Sequence, residues 1–135
     1  MAPIPMAHDI TLDTPLLAED DPVNATMTSA LLARLGHAVE LVGDGELAVR
    51  RLGEASFDLV FMDVEMPSLD GLEATRLIRR GEQGTGRHLP IVALTANAMK
   101  GDDLKCLSAG MDAYLPKPVT VEALTDVLSW FGAAG

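Results

Sequence analysis

Carboxylates follow two apolar runs of the sequence, at the points where each run gives way to a loop. The acidic triplet 19–21 comes directly after the run 15–18, and Asp63 comes directly after the run 57–62. If these runs form neighbouring parallel strands, their carboxyl ends meet at one edge of the sheet, where open α/β sheets bind ligands. Clustered carboxylates repel one another unless a cation lies among them, and Mg²⁺ prefers oxygen ligands. The sequence therefore predicts an acidic metal site.

Three further features could serve phosphoryl chemistry. An aspartate at a strand end, such as Asp63, can attack phosphorus and form an acyl phosphate, although an isolated strand-end aspartate is more often a cap. Lys117, between Pro116 and Pro118, follows the last strand-like run, and its ammonium could neutralise phosphoryl oxygens. The Lys-Pro bond is also a candidate cis peptide. Thr95 ends the fourth run and could donate a hydrogen bond to a phosphoryl oxygen or cap the next helix.

Apolar runs and helical patterns alternate along the chain. Two of the runs, 59–62 and 91–94, are continuously apolar, as in parallel strands buried on both faces. Five such βα units predict a doubly wound α/β sheet. The strand-like runs lie near 15–19, 38–42, 57–62, 90–94 and 112–115, and the helical patterns lie near 22–35, 45–54, 71–80, 98–109 and 120–131.

Local signals support several helix boundaries. Asp21 before Pro22 predicts an N-cap, Asp70 with Glu73 resembles a capping box, and Gly110 predicts a C-cap. Helical spacing also predicts two buried faces. The first consists of Val23, Met27, Ala30, Leu31 and Leu35, and the second of Val121, Leu124, Leu128 and Phe131, with Val127 and Trp130 off that face.

Composition limits the class of protein. The 135 residues suffice for one domain, and 48% apolar with only 4% aromatic residues predicts an aliphatic core. A formal charge of −10 argues against nucleic acid as a direct partner. No run approaches the ~20 apolar residues needed to span a bilayer. A single cysteine, Cys106, fits a reducing cytoplasm, and His8, His37 and His88, without metal-like spacing, are expected in loops or at the surface.

Taken together, the chain resembles the receiver domain of two-component response regulators over residues 14–131. Residues 1–13 are then a flexible leader or linker, and 132–135 a carboxyl-terminal tail. The resemblance implies a flavodoxin-like (βα)5 fold, whose five-stranded parallel sheet has the order 2-1-3-4-5 with helices on both faces. The residues that carry it are 16–20, Asp63 with 66–67 and 70–71, Thr95-Ala96 and Lys117-Pro118.

The resemblance also implies a phosphorylation site with a metal. Asp63 would accept a phosphoryl group from a phosphohistidine of a partner. Asp20 and Asp63 would bind Mg²⁺, or Mn²⁺, directly, together with the backbone carbonyl of Glu65, whereas Glu19 would bind it through water.

Other residues would respond to the phosphoryl group or tune its lifetime. Lys117 would pair with the phosphoryl oxygens, Thr95 would move toward them, and Tyr114 would change rotamer with Thr95. Glu65 and Asn97 occupy positions that set the lifetime of the phosphoryl group in this family.

The implied partners are proteins of a phosphorelay. A histidine kinase or a histidine phosphotransfer protein would donate the phosphoryl group, and a downstream protein would bind the fourth helix, fifth strand and fifth helix. As an isolated domain the chain would be no enzyme beyond catalysing its own phosphotransfer and dephosphorylation. The segments 20–24 and 94–101 look most like receivers of hybrid histidine kinases, although a single-domain regulator remains an alternative.

Two rival functions compete with this interpretation. A small phosphatase of the haloacid-dehalogenase type also uses a strand-end aspartate and Mg²⁺, but it requires a second aspartate where this chain has Glu65. A receiver fold used only for docking, without phosphorylation, tends to lose one member of the set Asp20, Asp63, Thr95 and Lys117, all of which are present.

Overall fold

A computed structural model describes residues 15–66, 68–96 and 101–131. In that part of the chain a five-stranded parallel sheet has the strand order β2-β1-β3-β4-β5, which confirms the predicted fold. The elements are β1 (Leu16–Ala18), α1 (Pro22–Arg34), β2 (Glu40–Val42), α2 (Gly45–Glu54), β3 (Val60–Asp63), α3 (Gly71–Glu82), β4 (Ile91–Thr95), α4 (Asp102–Ala109), β5 (Ala113–Pro116) and α5 (Val121–Trp130).

The three inner strands are buried along their whole length, as the continuous apolar runs of β3 and β4 predict. The register pairs Leu17 with Phe61 and Asp63 with Leu94, and it brings Thr95 opposite Pro116. The carboxyl ends of β1, β3, β4 and β5 consequently meet at one edge of the sheet, because all of these strands are parallel.

Alternate strand residues build a core on each face of the sheet. One core joins β1, β3 and β4 to α2, α3 and α4, and Met62 is among its fully buried members. The other joins the sheet to α1 and α5, with Phe61 fully buried. Because Met62 and Phe61 are neighbours in β3, the period of two along the strand assigns them to opposite faces.

The predicted caps are confirmed. Asp21 and Asp70 accept hydrogen bonds from the backbone N–H groups three residues ahead of them, and Gly110 ends α4 with a left-handed φ of 109°. The Lys117–Pro118 peptide bond is cis, as predicted. Of the predicted fourth helix, the described part begins at Asp102, and residues 97–100 lie outside the described residues.

The buried face predicted for α1 is wrong at three of its five residues, since Ala30 is exposed as well as Val23 and Met27. Val23 and Met27 are 64% and 47% exposed, whereas Ala25, Thr28 and Leu32 are buried. The interior face of α1 therefore includes the small residues Ala25 and Thr28 and excludes the larger Val23 and Met27. The spacing of apolar residues groups them on one face of the helix, but it does not determine which face is turned to the interior.

The prediction that Val127 lies off the apolar face of α5 is also wrong. Its side chain is fully buried, because it follows Leu124 by three residues and so shares its helical face. Trp130 is 68% exposed, as predicted.

Two histidines lie in loops, as predicted. His88 is exposed there, whereas His37 is buried. His8 lies outside the described residues. None of the described helices is long and apolar enough to cross a bilayer.

Candidate functional site

The end of β1 and the first turn of α1 position the acidic triplet. The backbone N–H of Glu19 donates to the carbonyl of Val42 at 3.1 Å, which extends the β1 pairing by one residue. Asp21 caps α1, since its carboxylate accepts a hydrogen bond from the backbone N–H of Asn24 at 2.9 Å. Asp20 is therefore held between a strand and a helix, at the carboxyl edge of the sheet.

The pairing of β3 with β4 fixes the backbone around Asp63. Asp63 ends β3 opposite Leu94 and is only 3% exposed. The backbone N–H of Val64 donates to the carbonyl of Leu94 at 3.0 Å, and that of Glu65 donates to Oδ1 of Asp63 at 3.2 Å. The sheet therefore orients the backbone of Asp63, and the following loop orients its carboxylate.

The first turn of α3 lies directly against the backbone of Asp63. The N–H of Gly71 donates to the carbonyl of Val64 at 3.0 Å. A Cβ atom on Gly71 would lie 2.1 Å from the carbonyl oxygen of Asp63, so only glycine permits this approach. The sequence signal at Asp70 and Gly71 predicts the helix start correctly, but nothing in it reveals this contact.

Lys117 joins the site from the loop after β5. Its backbone N–H donates to the carbonyl of Thr95 at 2.8 Å, which ties the two residues together. Its ammonium nitrogen lies 3.0 Å from Oδ1 of Asp63 and 3.1 Å from Oε1 of Glu19. Thr95, the last residue of β4, is buried beside them. Four strands thus contribute to one constellation, as the sequence predicts.

The electrostatics of the site show an excess of negative charge. Burial, followed by the neighbouring Glu19, raises the pKa of Asp63 to about 6. Partial burial and the Asp63 carboxylate also raise the pKa of Asp20. Burial acts to lower the pKa of the Lys117 ammonium, but its interactions with Asp63 and Glu19 outweigh burial and raise that pKa. Among the described residues, one ammonium therefore faces three carboxylates.

The donor atoms fit a hard divalent cation. Glu19, Asp20 and Asp63 offer carboxylate oxygens that all lie within 4.8 Å of one another. Oε1 of Glu19 is buried and accepts no hydrogen bond from the described residues, because the Lys117 ammonium approaches it outside hydrogen-bond geometry. An all-oxygen, negatively charged set suits Mg²⁺ or Mn²⁺.

Two cavities differ in their relation to this site. A small one at its rim is lined by Glu19, Asn24, Met27, Thr28, Lys117, Pro118 and Val119. A larger one, with a volume of about 700 Å³, lies between α2 and α3 beside the loops that precede β3 and β4. It contains none of the site residues, so cavity size does not locate the chemistry here.

The remaining predicted site residues have different outcomes. Tyr114 lies on β5 with 38% of its surface exposed. The side chain of Glu65 is exposed. Asn97 lies outside the described residues. The roles assigned to these residues and to the metal ligands stay predictions.

Comparison with known proteins identifies the family. Residues 16–129 match the response regulator receiver domain family. The chain belongs to this family, the signalling module of two-component systems, and this favours a receiver over the phosphatase alternative.

Curated relatives include large sensor kinases. Histidine kinase 1 of Arabidopsis thaliana is 41% identical over 77% of this chain, and sensor protein GacS of Pseudomonas syringae pv. syringae is 43% identical over 88%. The chain spans only 11% and 13% of the length of these two proteins. The similarity therefore concerns one domain of them.

Solved structures show the same fold with a metal or a partner. The receiver domain of sensor histidine kinase PA1611 from Pseudomonas aeruginosa PAO1, with a magnesium ion coordinated in its active site cleft, is 47% identical, has a TM-score of 0.80 and is matched over 90% of this chain and 98% of its own. A chain of the co-crystal structure of Saccharomyces cerevisiae Ypd1, a histidine phosphotransfer signalling protein, and the receiver domain of Ssk1 is 32% identical, with a TM-score of 0.80 and 90% of both chains covered.

Proposed function

We propose that Asp63 accepts a phosphoryl group from a phosphohistidine of a partner protein in a two-component phosphorelay. The observation that carries this proposal is the position of the Lys117 ammonium, 3.0 Å from the Asp63 carboxylate within a cluster of three acids. Phosphoryl transfer needs alignment and charge neutralisation more than covalent assistance, and these residues supply both.

The bond changes in the transfer are simple. A carboxylate oxygen of Asp63 bonds to phosphorus while the P–N bond of the phosphohistidine breaks. The electron pair of that bond returns to the imidazole nitrogen, which takes up a proton. Lys117 stabilises the charge that develops on the phosphoryl oxygens, since its ammonium is already held beside the nucleophile.

A divalent cation would complete the charge balance. The carboxylates of Asp20 and Asp63 and the backbone carbonyl of Glu65 would hold Mg²⁺ or Mn²⁺, with Glu19 acting through water. When bound, the ion neutralises phosphoryl oxygens and the clustered carboxylates. The magnesium ion in the PA1611 receiver domain supports this assignment.

Phosphorylation would alter the surface near β4 and β5. The aspartyl phosphate carries close to two negative charges and new acceptor oxygens. The hydroxyl of Thr95 would move to donate to one of them, Tyr114 would change rotamer with it, and the chain leading into α4 would follow. Glu65 and Asn97 would set the rate at which water removes the phosphoryl group.

Intact-protein mass spectrometry tests the acceptor. After incubation with a small phosphodonor and Mg²⁺, the wild type should gain one phosphoryl group, whereas Asp63→Asn and a metal-free sample should gain none. A gain on Asp63→Asn would assign the phosphoryl group to another residue and overturn the proposal.

The relatives favour a hybrid histidine kinase as the origin of this domain. Its phosphoryl donor would then be a kinase or a histidine phosphotransfer protein, as in the pairing of Ypd1 with the Ssk1 receiver domain. The predicted downstream surface is supported by exposed apolar side chains on α4, β5 and α5, namely Leu104, Leu107, Tyr114 and Trp130. A cytoplasmic location and the absence of nucleic-acid and membrane partners stay predictions from composition.

We expect a donor protein to approach Asp63 over the exposed side of α1. Met27 lines the rim of the site, and Val23, one helical turn before it, is exposed as well. We expect Met27→Ser to slow transfer from a phosphohistidine domain about tenfold, the equivalent of roughly 1.4 kcal/mol. Transfer from a small phosphodonor should change less than twofold.

Trp130→Ser is the matched control for Met27→Ser, because Trp130 is exposed at the far end of α5. It should leave both rates unchanged. Equal slowing by Met27→Ser with both donors would contradict a docking role for α1.

A further inference from the structure

Among the described residues, the two ends of α4 differ in their hydrogen bonds. At its amino end the N-cap is Gly101, which has no side chain to accept a hydrogen bond from the first turn. At its carboxyl end the N–H of Gly110 donates to the carbonyl of Leu107, and the N–H of Met111 donates to that of Cys106, both at 3.0 Å. The last turn is therefore closed by backbone bonds, whereas the first turn receives no side-chain cap from Gly101.

Arg79 of α3 reaches across to this closed end. Its Nε donates to the carbonyl of Gly110 at 2.8 Å, and its terminal nitrogens contact Asp112 at 2.8 Å and Glu82 at 2.7 Å. The rigid fork of a guanidinium can satisfy these three acceptors together, which an ammonium cannot. With only 17% of its side chain exposed, Arg79 links α3 to the end of α4. We refer to Arg79, Glu82 and Asp112 as the Arg79 cluster.

The Arg79 cluster also fixes the starts of β4 and β5. Oδ2 of Asp112 accepts a second hydrogen bond from the backbone N–H of Ile91 at 2.8 Å, while His88 Nε2 lies 2.5 Å from Oδ1. Oε2 of Glu82 accepts from the backbone N–H of Leu89 at 2.7 Å. These contacts lie at the edge of the sheet opposite Asp63, so they hold the far ends of the strands that deliver Thr95 and Lys117.

We propose that the Arg79 cluster anchors the carboxyl end of α4, so that phosphorylation moves this helix at its amino end. This inference rests on the proposed function, in which Thr95 moves toward the phosphoryl group. Thr95 precedes the amino end of α4 in the chain, and the carboxyl end is bonded to α3. A displacement that starts at Thr95 therefore tilts α4 about its carboxyl end. Arg79 acts as a positioning residue, without touching the reacting atoms.

Hydrogen–deuterium exchange of the whole chain tests the anchor, with and without Mg²⁺ and beryllofluoride as a phosphoryl mimic. In the wild type the mimic should change amide exchange at 101–105 at least fivefold and at 106–111 less than twofold. In Arg79→Met, exchange at 106–111 should be at least tenfold faster without the mimic, and it should now respond to the mimic. Arg76→Met is the control, since Arg76 is exposed on the same helix and, in the part of the chain that the structure describes, pairs with Glu73 within that helix.

Three results would overturn the anchor. One is a mimic-induced change in the wild type that is as large at 106–111 as at 101–105. Another is an Arg79→Met variant that exchanges like Arg76→Met. The third is an Arg79→Met variant that phosphorylates much more slowly with a small phosphodonor, which would make Arg79 part of the reaction site.

Failure of the proposed function itself would look different. The mimic would then change no amide around Asp63 in the wild type, which would overturn the proposed movement of α4 as well. The comparison of Arg79→Met with Arg76→Met is made without the mimic and would still show whether the carboxyl end is anchored. Circular dichroism of both variants would check that they fold.

Discussion

At the scale of single residues, the carboxylate of Asp63 is costly to the fold in the absence of a cation. It is 3% exposed and lies beside the acids Glu19 and Asp20, with the Lys117 ammonium as the neighbouring cation. The pKa of about 6 expresses this cost, because the folded protein binds a proton on Asp63 more readily than the unfolded chain does. The same charge arrangement is what a metal ion and a phosphoryl group require.

We therefore expect Asp63→Asn to stabilise the metal-free protein. Above pH 6 the wild type has a charged Asp63 in the folded state, and removing that charge should raise the free energy of unfolding by on the order of 1–2 kcal/mol. As the pH falls from 7 toward 4, Asp63 becomes protonated in the folded wild type and the advantage of the variant should shrink. Urea unfolding in the presence of a chelator at several pH values measures both effects, and a destabilised variant at pH 7 would contradict them.

Replacing Lys117 should affect the rate of phosphorylation more than the stability of the fold. Lys117→Met removes the ammonium beside the nucleophile, and phosphorylation by a small phosphodonor should slow by roughly 10²–10³-fold. Lys105→Met is the control, since Lys105 is an exposed lysine on α4 and should keep the wild-type rate. Phosphorylation rates followed by intact mass distinguish the two variants, and a Lys117→Met rate within threefold of wild type would contradict its assigned role.

At the scale of elements, sequence patterns predicted well which segments form strands and helices. They predicted less well which face of each helix is buried. Continuous apolar runs identified the buried strands β3 and β4, because parallel strands covered on both sides have no polar face. The helix faces of α1 and α5 were partly misassigned at Val23, Met27 and Val127, because burial depends on how each helix lies on the sheet. Periodicity contains no information on that orientation.

The contact between α3 and Asp63 is another feature that the sequence could not reveal. A Cβ on Gly71 would overlap the backbone of Asp63, whereas a Cβ on Gly81, in the same helix, would meet no atom within 4 Å. Close packing therefore requires glycine at position 71 but not at position 81. The sequence shows two glycines in one helix and does not distinguish them.

Gly71→Ala and Gly81→Ala should consequently have opposite effects. Gly71→Ala forces α3 away from Asp63 and should destabilise the protein by about 2–3 kcal/mol and slow phosphorylation. Gly81→Ala reduces the freedom of the unfolded chain and should stabilise by about 0.5–1 kcal/mol. Urea unfolding of both variants tests this contrast, and equal stabilities would exclude the tight contact at Gly71.

At the scale of the whole molecule, the fold and the central site were predictable because one topology connects them. Strand order decides which loops meet, so residues far apart in the chain, from Asp20 to Lys117, arrive at one edge. The contacts at the opposite edge were not predictable. Arg79 and Asp112 are 33 residues apart, and neither has a pattern that indicates its partner.

Binding of Mg²⁺ should stabilise the whole domain by mass action. At ten times its dissociation constant, the ion should add about 1.4 kcal/mol to the free energy of unfolding, which corresponds to a rise in Tm of roughly 4–8 °C. Asp20→Asn should reduce this rise, whereas Asp103→Asn should not, since Asp103 lies in the first turn of α4 and is not one of the three clustered acids. Thermal unfolding in a series of Mg²⁺ concentrations gives the comparison, and an unchanged response in Asp20→Asn would exclude Asp20 as a ligand.

The most direct test of the central claim is a crystal structure of the chain with Mg²⁺ and beryllofluoride. We expect the fluoride group on the carboxylate of Asp63, the ammonium of Lys117 and the hydroxyl of Thr95 in contact with it, and the ion held by Asp20, Asp63 and the carbonyl of Glu65. A mimic bound elsewhere, or an ion held without Asp20 and Asp63, would contradict the assignment of this edge of the sheet as the phosphorylation site.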